Sequence, residues 1–138
     1  MAGSANDTIH LRIQTAQDVS NSRRRGMQLA LDMGFVPADA TKIAVVISEL
    51  TRNILIYAGE GTVTIIARRD DSGAQYMKII ADDKGPGIPD LEQALSDGYT
   101  TSGGLGLGLS GSRRLMDEFS VASEVGKGTT VTAVKWLK

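Results

Sequence analysis

The chain has no cysteine, three prolines, one histidine and one tryptophan, and only 4% of its residues are aromatic. The lack of cysteine excludes a disulfide framework, a thiolate metal site and a cysteine nucleophile, and it suits a reducing compartment, so a cytoplasmic address is expected. The lone histidine, His10, lies in an alternating segment with no second histidine to complete a metal or catalytic cluster. Neither sign of charge dominates: 15 Lys+Arg against 16 Asp+Glu leave a net charge of −1. Nucleic acid and anionic membrane are therefore not expected as partners on electrostatic grounds. No apolar run reaches the roughly 18 residues of a membrane-spanning helix, and the opening Met1-Ala2-Gly3-Ser4 lacks the basic and apolar regions of a signal peptide. What remains is ordinary globular material, 138 residues with 41% hydrophobic and 22% charged, enough for one domain over residues 1–138.

Residues 8–14 alternate with Ile9, Leu11 and Ile13 apolar, the pattern of a half-buried strand. Thr15 offers a cap, with Asp18 three residues on, for a helix over residues 16–33 that Gly34 stops. Pro37-Ala38-Asp39 opens a second helix, whose apolar positions Ile43, Val46, Ile47, Leu50, Ile54 and Tyr57 carry it towards Gly59. Strands follow over 61–68 and 75–82, joined by a hairpin turn around Asp70 to Gly73. A short helix is expected near 90–96, another over 113–118, and two last strands over 119–124 and 129–137 flank Gly126-Lys127-Gly128. This order predicts an α+β fold, a two-layer α/β sandwich with helices on one face of a mixed five-stranded sheet.

Six of the 16 glycines fall between Gly98 and Gly111, just before a helix, where exposed backbone amides can receive a phosphate. Gly106-Leu107-Gly108-Leu109-Ser110-Gly111 satisfies a dinucleotide fingerprint, but no strand feeds into it. The spacing from Gly103 to Gly108 is that of a Walker A loop, yet Leu109 stands where the lysine belongs. A second feature gives the glycines a context. On the second helix Glu49 and Asn53 lie four apart, within about 40° of each other, at the rim of the buried stripe and with Lys42 between them. A carboxylate there can serve as base, and an amide oxygen is a hard ligand suited to magnesium. Alone, such a pair is usually a solvated helix edge. The third feature is Asp82-Asp83-Lys84-Gly85-Pro86-Gly87, an aspartate at a strand end followed by a tight turn, able to accept a hydrogen bond from an exocyclic amine or simply to cap its own backbone.

Four segments in order resemble the boxes of the GHKL (Bergerat) ATP-binding fold of gyrase, Hsp90-type chaperones, histidine kinases and MutL. They are Ser48-Glu49-Leu50-Thr51-Arg52-Asn53, Asp83-Lys84-Gly85-Pro86-Gly87, Gly104-Leu105-Gly106-Leu107-Gly108-Leu109 and Gly126-Lys127-Gly128-Thr129-Thr130. Within that superfamily the chain is similar to the anti-sigma-factor serine kinases, and above all to the RsbT-type switch kinases of the stressosome. That likeness runs through Ile47-Ser48-Glu49-Leu50, Gly98-Tyr99-Thr100-Thr101-Ser102, Arg114-Leu115-Met116-Asp117 and Val134-Lys135-Trp136-Leu137.

The resemblance implies an ATP- and Mg²⁺-dependent serine/threonine kinase in which Glu49 is the base and Asn53 the magnesium ligand. Asp83 would bind the adenine amine, Gly85 and Gly87 would shape its pocket, and Thr129 would support Asp83 through a water. Gly104, Leu105, Gly106, Leu107 and Gly108 would form the lid over the triphosphate. The implied acceptors are STAS-domain stressosome or antagonist proteins, and the implied output is direct activation of a PP2C-type phosphatase. Lys42 and Lys84 are candidates for phosphate neutralisation, and the Arg23-Arg24-Arg25 cluster is a candidate docking face or simply a solvated one. Two other readings stay open: a nucleotide-gated anti-sigma or switch module with incidental turnover, and a detached histidine-kinase ATPase domain. The second is disfavoured because no histidine-bearing dimerisation helices are present.

Overall fold

The computed structural model describes residues 7–88 and 108–138. Strand β1 (Thr8–Ile13) leads into helices α1 (Ala16–Met33) and α2 (Pro37–Asn53), and a π-helical turn (Ile54–Ala58) follows α2. Then come β2 (Gly61–Arg69), β3 (Gln75–Asp83), a short helix α3 (Leu109–Leu115), β4 (Glu118–Glu124) and β5 (Gly128–Trp136). The five strands form one sheet in the order β1-β2-β3-β5-β4.

Helix α1 begins where the sequence predicts. The Thr15 side chain accepts from the Asp18 N–H at 3.2 Å while Asp18 accepts from the backbone N–H of Thr15 at 3.0 Å, a reciprocal cap for two otherwise unpaired donors. It ends at Gly34, whose φ of 108° is the left-handed conformation that glycine reaches without strain. Helix α2 starts with Pro37 in its first turn, where the missing N–H costs nothing.

One side of the sheet, with Ile13, Val63, Ile65, Ala67, Met77, Ile79, Val131 and Ala133 buried, packs under Leu29, Ala30 and Met33 of α1 and Ile43, Val46, Ile47 and Leu50 of α2. The two helices cross closely because Gly26 of α1 has no side chain: a Cβ there would collide with the end of Ile47. The Lys135 ammonium, carried on the helix side of β5, donates to the carbonyl of Leu115 at 2.9 Å and so satisfies the end of α3. On the other side of the sheet Tyr76 and Trp136 pack with ring centroids 4.9 Å apart. Arg23, Arg24 and Arg25 are all exposed.

The sheet corrects one expectation. It is not mixed: each of its four pairings is antiparallel. The helices explain the first of these. With 18 and 17 residues, α1 and α2 are nearly equal in length, so the second returns the chain to the sheet end where β1 finished, and Ile13 pairs with Gly61. Strand β2 must then run back along β1.

Two helix ends also differ. The helix expected over 113–118 spans Leu109–Leu115 instead, because Asp117 turns to accept from the Trp136 N–H at 2.7 Å and Glu118 already belongs to β4. The second helix does not continue regularly to Tyr57. From Ile54 the bonding widens to five residues, with the Gly59 N–H reaching the Ile54 carbonyl at 2.9 Å. The helix expected near 90–96 lies outside the described residues.

Candidate functional site

The last two turns of α2, the end of β3 and the turn between β4 and β5 all lie at one end of the sheet, since Asp83 pairs with Thr129 and Glu124 with Gly128. The sequence features meet there. Glu49 and Asn53, one turn apart, are both half-buried at the edge of the helix layer. The two Glu49 carboxylate oxygens have different neighbours. Oε1 accepts from the Arg52 guanidinium at 3.0 Å, and Oε2 stands 2.6 Å from where a Cβ on Gly108 would be. The last glycine of the loop segment is therefore seated against the carboxylate of the candidate base, which would have to shift if Gly108 carried a side chain.

Asp83 and Asp82 are neighbours on β3 with opposite orientations. Asp82 lies on the helix-free side, where it accepts from the Thr130 hydroxyl. Asp83 faces the helix layer and accepts from the Gly85 N–H at 2.9 Å. Burial pushes the Asp83 carboxyl above the usual carboxylate range, the N–H groups of Gly85 and Thr129 pull against this, and the Asp82 charge adds to the rise. A half-buried carboxylate with one oxygen held by the backbone can take a hydrogen bond from a ligand amine, which would relieve the cost of its burial.

The backbone around Asp83 is packed by glycines. A Cβ on Gly85 would come within 2.6 Å of the Ala58 Cβ at the end of the π-helical turn. Gly87, with φ +81°, places its Cα so close to the β4–β5 turn that a Cβ would meet the Glu124 carbonyl oxygen at 2.5 Å. Two hydrogen bonds fasten this loop: Gly126 N–H to the Pro86 carbonyl and Ile88 N–H to Ser123 Oγ, each 2.8 Å. Thr129 stands opposite Asp83 in register, with its hydroxyl 2.8 Å from Ser123 Oγ. An open depression of about 520 Å³ at this end is lined by Asp82, Asp83, Lys84, Ser123 and Thr129 among others, a size suited to a small ligand.

Of the two candidate lysines, Lys42 pairs with Asp39 at 3.7 Å, one turn back on α2. Lys84 is exposed beside Asp83. Gly104, Leu105, Gly106 and Leu107 lie outside the described residues. Sequence reasoning did not single out Ser123, which ties the Asp83 loop to β4, or Ala58, which fixes how near Gly85 can come. No signal in the sequence marks either one, since each acts through contacts with residues distant in the chain. Among the described residues no group of three or more His, Cys, Asp or Glu could hold a metal ion. The half-buried Asn53 amide, one helical turn from the Glu49 carboxylate, does fit magnesium, which uses few protein ligands and takes the rest from phosphate and water. Among the described residues no helix is long and apolar enough to cross a membrane.

A half-buried Asp over a glycine turn, a Glu/Asn pair one helical turn apart and an antiparallel sheet with helices on one face define the class. The chain belongs to the histidine kinase-, DNA gyrase B- and HSP90-like ATPase family, whose model matches residues 38–138. More particularly, it is 48% identical over 133 residues to the serine/threonine-protein kinase RsbT of Bacillus subtilis (strain 168), covering 96% of this chain and 99% of that one. It is also 36% identical over 106 residues to the anti-sigma F factor of Geobacillus kaustophilus (strain HTA426), covering 72% of this chain and 70% of that one. Solved structures agree on the fold. The RsbU and RsbW domains of Rv1364c from Mycobacterium tuberculosis match with a TM-score of 0.63 at 18% identity, over 95% of this chain and 32% of that longer one. The catalytic domain of histidine kinase ThkA matches with a TM-score of 0.54 at 20% identity, over 92% of this chain and 95% of that one.

Proposed function

We propose that this chain is an ATP-dependent protein serine/threonine kinase that phosphorylates STAS-domain proteins and acts as a partner switch in a bacterial stress response. The kinase activity is supported by 48% identity across nearly the whole length of a serine/threonine-protein kinase. The observation that carries the mechanism is the seating of Glu49, with one oxygen on Arg52, the other against Gly108, and Asn53 one turn further on.

In this reading ATP is the substrate and Asp83 accepts a hydrogen bond from its adenine amine in the pocket shaped by Gly85 and Gly87. Thr129 supports that contact. The segment from Gly104 through Leu105, Gly106 and Leu107 to Gly108 covers the triphosphate. Asn53 would hold Mg²⁺, which when bound supplies charge neutralisation along the phosphates. The acceptor serine or threonine oxygen attacks the γ-phosphorus as the bond to the ADP oxygen breaks. ADP leaves with that electron pair, and the hydroxyl proton passes to the Glu49 carboxylate. Phosphoryl transfer of this kind mainly needs positioning and electrostatic stabilisation, which a small domain can provide once the acceptor is docked. Released from its phosphorylated STAS partner, the kinase would then bind and activate a PP2C-type phosphatase in the cytoplasm.

The test is incubation with labelled ATP, Mg²⁺ and a STAS-domain protein of the same genome, with Asn53→Ala and Glu49→Gln alongside. Label on a serine or threonine of the STAS protein, absent with both folded variants, is the expected result. A fully active, folded Asn53→Ala chain overturns the metal assignment. A second reading, a nucleotide-gated binding module with little turnover, is favoured by the 36% identity to an anti-sigma F factor. Tight ATP binding without transfer, together with ATP-dependent capture of a sigma factor, would select it.

A further inference from the structure

Large apolar side chains exposed on a helix call for an explanation when they line up with a catalytic group, and α2 carries such a line. Val45, on α2, is 43% exposed and Ile56, in the π-helical turn that continues it, 45% exposed, while the opposite face of α2 is buried. At about 100° per residue Glu49 lies roughly 40° from Val45 and Arg52 roughly 20° to the other side of it. Ile56 follows Arg52 by four residues, and the wider i→i+5 bonding of the π-helical turn keeps it on that same outward side. Half-buried Glu49 thus borders one exposed strip, which carries an apolar side chain one turn before it, another beyond it, and Arg52 tied to its carboxylate between them.

We propose that Val45 and Ile56, on either side of Glu49, form the docking surface for the protein acceptor, and that the segment they receive presents its serine or threonine hydroxyl between two apolar side chains. This rests on the kinase reading given above. A protein hydroxyl that reaches Glu49 from the outward side of the helix brings its surrounding surface over this strip, because the strip runs along the helix beside the proposed base. Water is then displaced from Val45 and Ile56 only when the acceptor is seated, so their burial contributes to acceptor affinity and not to the binding of ATP.

The experiment measures labelled-phosphate transfer from ATP to a recombinant STAS-domain protein of the same genome. It compares the wild-type chain with the Val45→Gln/Ile56→Gln double variant and with Val36→Gln, a more exposed apolar control just before the start of α2. Glutamine is a good helix former, and both positions are exposed, so the fold is expected to survive. The double variant should raise the acceptor KM by about tenfold, with the effect in KM and not in kcat or in ATP affinity measured by titration. Val36→Gln should behave as wild type. An acceptor KM left at the wild-type value in the double variant, or raised as much by Val36→Gln, overturns the docking surface while leaving the kinase intact. A wild-type chain that transfers no label to the STAS protein overturns the underlying reading instead, and the occupant assigned to this surface with it.

Discussion

Replacing Gly87 by alanine sets two costs against each other. If the loop stays in place, alanine at φ +81° carries a left-handed backbone penalty of about 1–2 kcal/mol, and its Cβ presses on the Glu124 carbonyl and Val125 Cα, adding about 1–3 kcal/mol. If the loop moves away, the Gly126–Pro86 and Ile88–Ser123 hydrogen bonds are lost, at about 1 kcal/mol each. The second route is cheaper, so the variant should fold with its loop displaced, about 2 kcal/mol less stable and with Tm lower by about 6–10 °C. Binding ATP requires the loop to return, and the remaining cost, up to about 3 kcal/mol, should weaken nucleotide affinity by about tenfold and at most about a hundredfold. Thermal unfolding and titration with a fluorescent ATP analogue measure the two effects separately. Gly73→Ala provides the comparison, because Gly73 has φ +92° but nothing within 4 Å of a Cβ, so it should lose stability without losing affinity. A Gly87→Ala chain with wild-type Tm and wild-type affinity would refute the reasoning.

Three further outcomes are expected. Asp83→Asn should abolish ATP binding yet raise the nucleotide-free Tm at pH 7. The carboxyl's raised pKa means its contribution to stability is complete below its unfolded pKa and lost as pH rises through the folded value, so the gain seen in pH-dependent unfolding should shrink towards about pH 4. Ile47→Ala empties a fully buried site beneath Gly26 and should cost about 2–5 kcal/mol in urea unfolding. Thr15→Ala removes half of the α1 capping box and should cost about 1 kcal/mol, with ATP affinity unchanged.

Much of this architecture is legible in local sequence. Thr15 with Asp18, Gly34 and Pro37 each act through their own backbone, so α1 and the start of α2 fall where these residues place them. The alternation in β2 to β5 likewise fixes strands to within a residue or two. Strand direction was not legible, because pairing is settled by where α1 and α2 deliver the chain. The π-helical turn was hidden for a different reason: Ile54 and Tyr57 fit a regular helical stripe, and one added residue in the hydrogen-bond ring leaves no mark on composition. In the site, Glu49, Asn53, Asp83 and the glycines after it were readable as motifs. Their seating was not, since the Arg52 and Gly108 contacts on Glu49 and the Ser123 contacts on the Asp83 loop depend on tertiary approach.

The antiparallel register also gives the sheet two unlike ends. Glu49, Asn53, Asp83 and the β4–β5 turn share one of them. At the other lie the β2–β3 hairpin, the start of β1 where Thr8 faces Ile66, and the finish of β5 where Trp136 faces Tyr76. Anything joined to the chain at the start of β1 or the finish of β5, whether a reporter, a tether or a second folded unit, is therefore attached at the end of the sheet opposite the proposed site. Such an attachment point would keep the added unit away from the end that carries Glu49, Asn53 and Asp83, where a protein partner is proposed to dock.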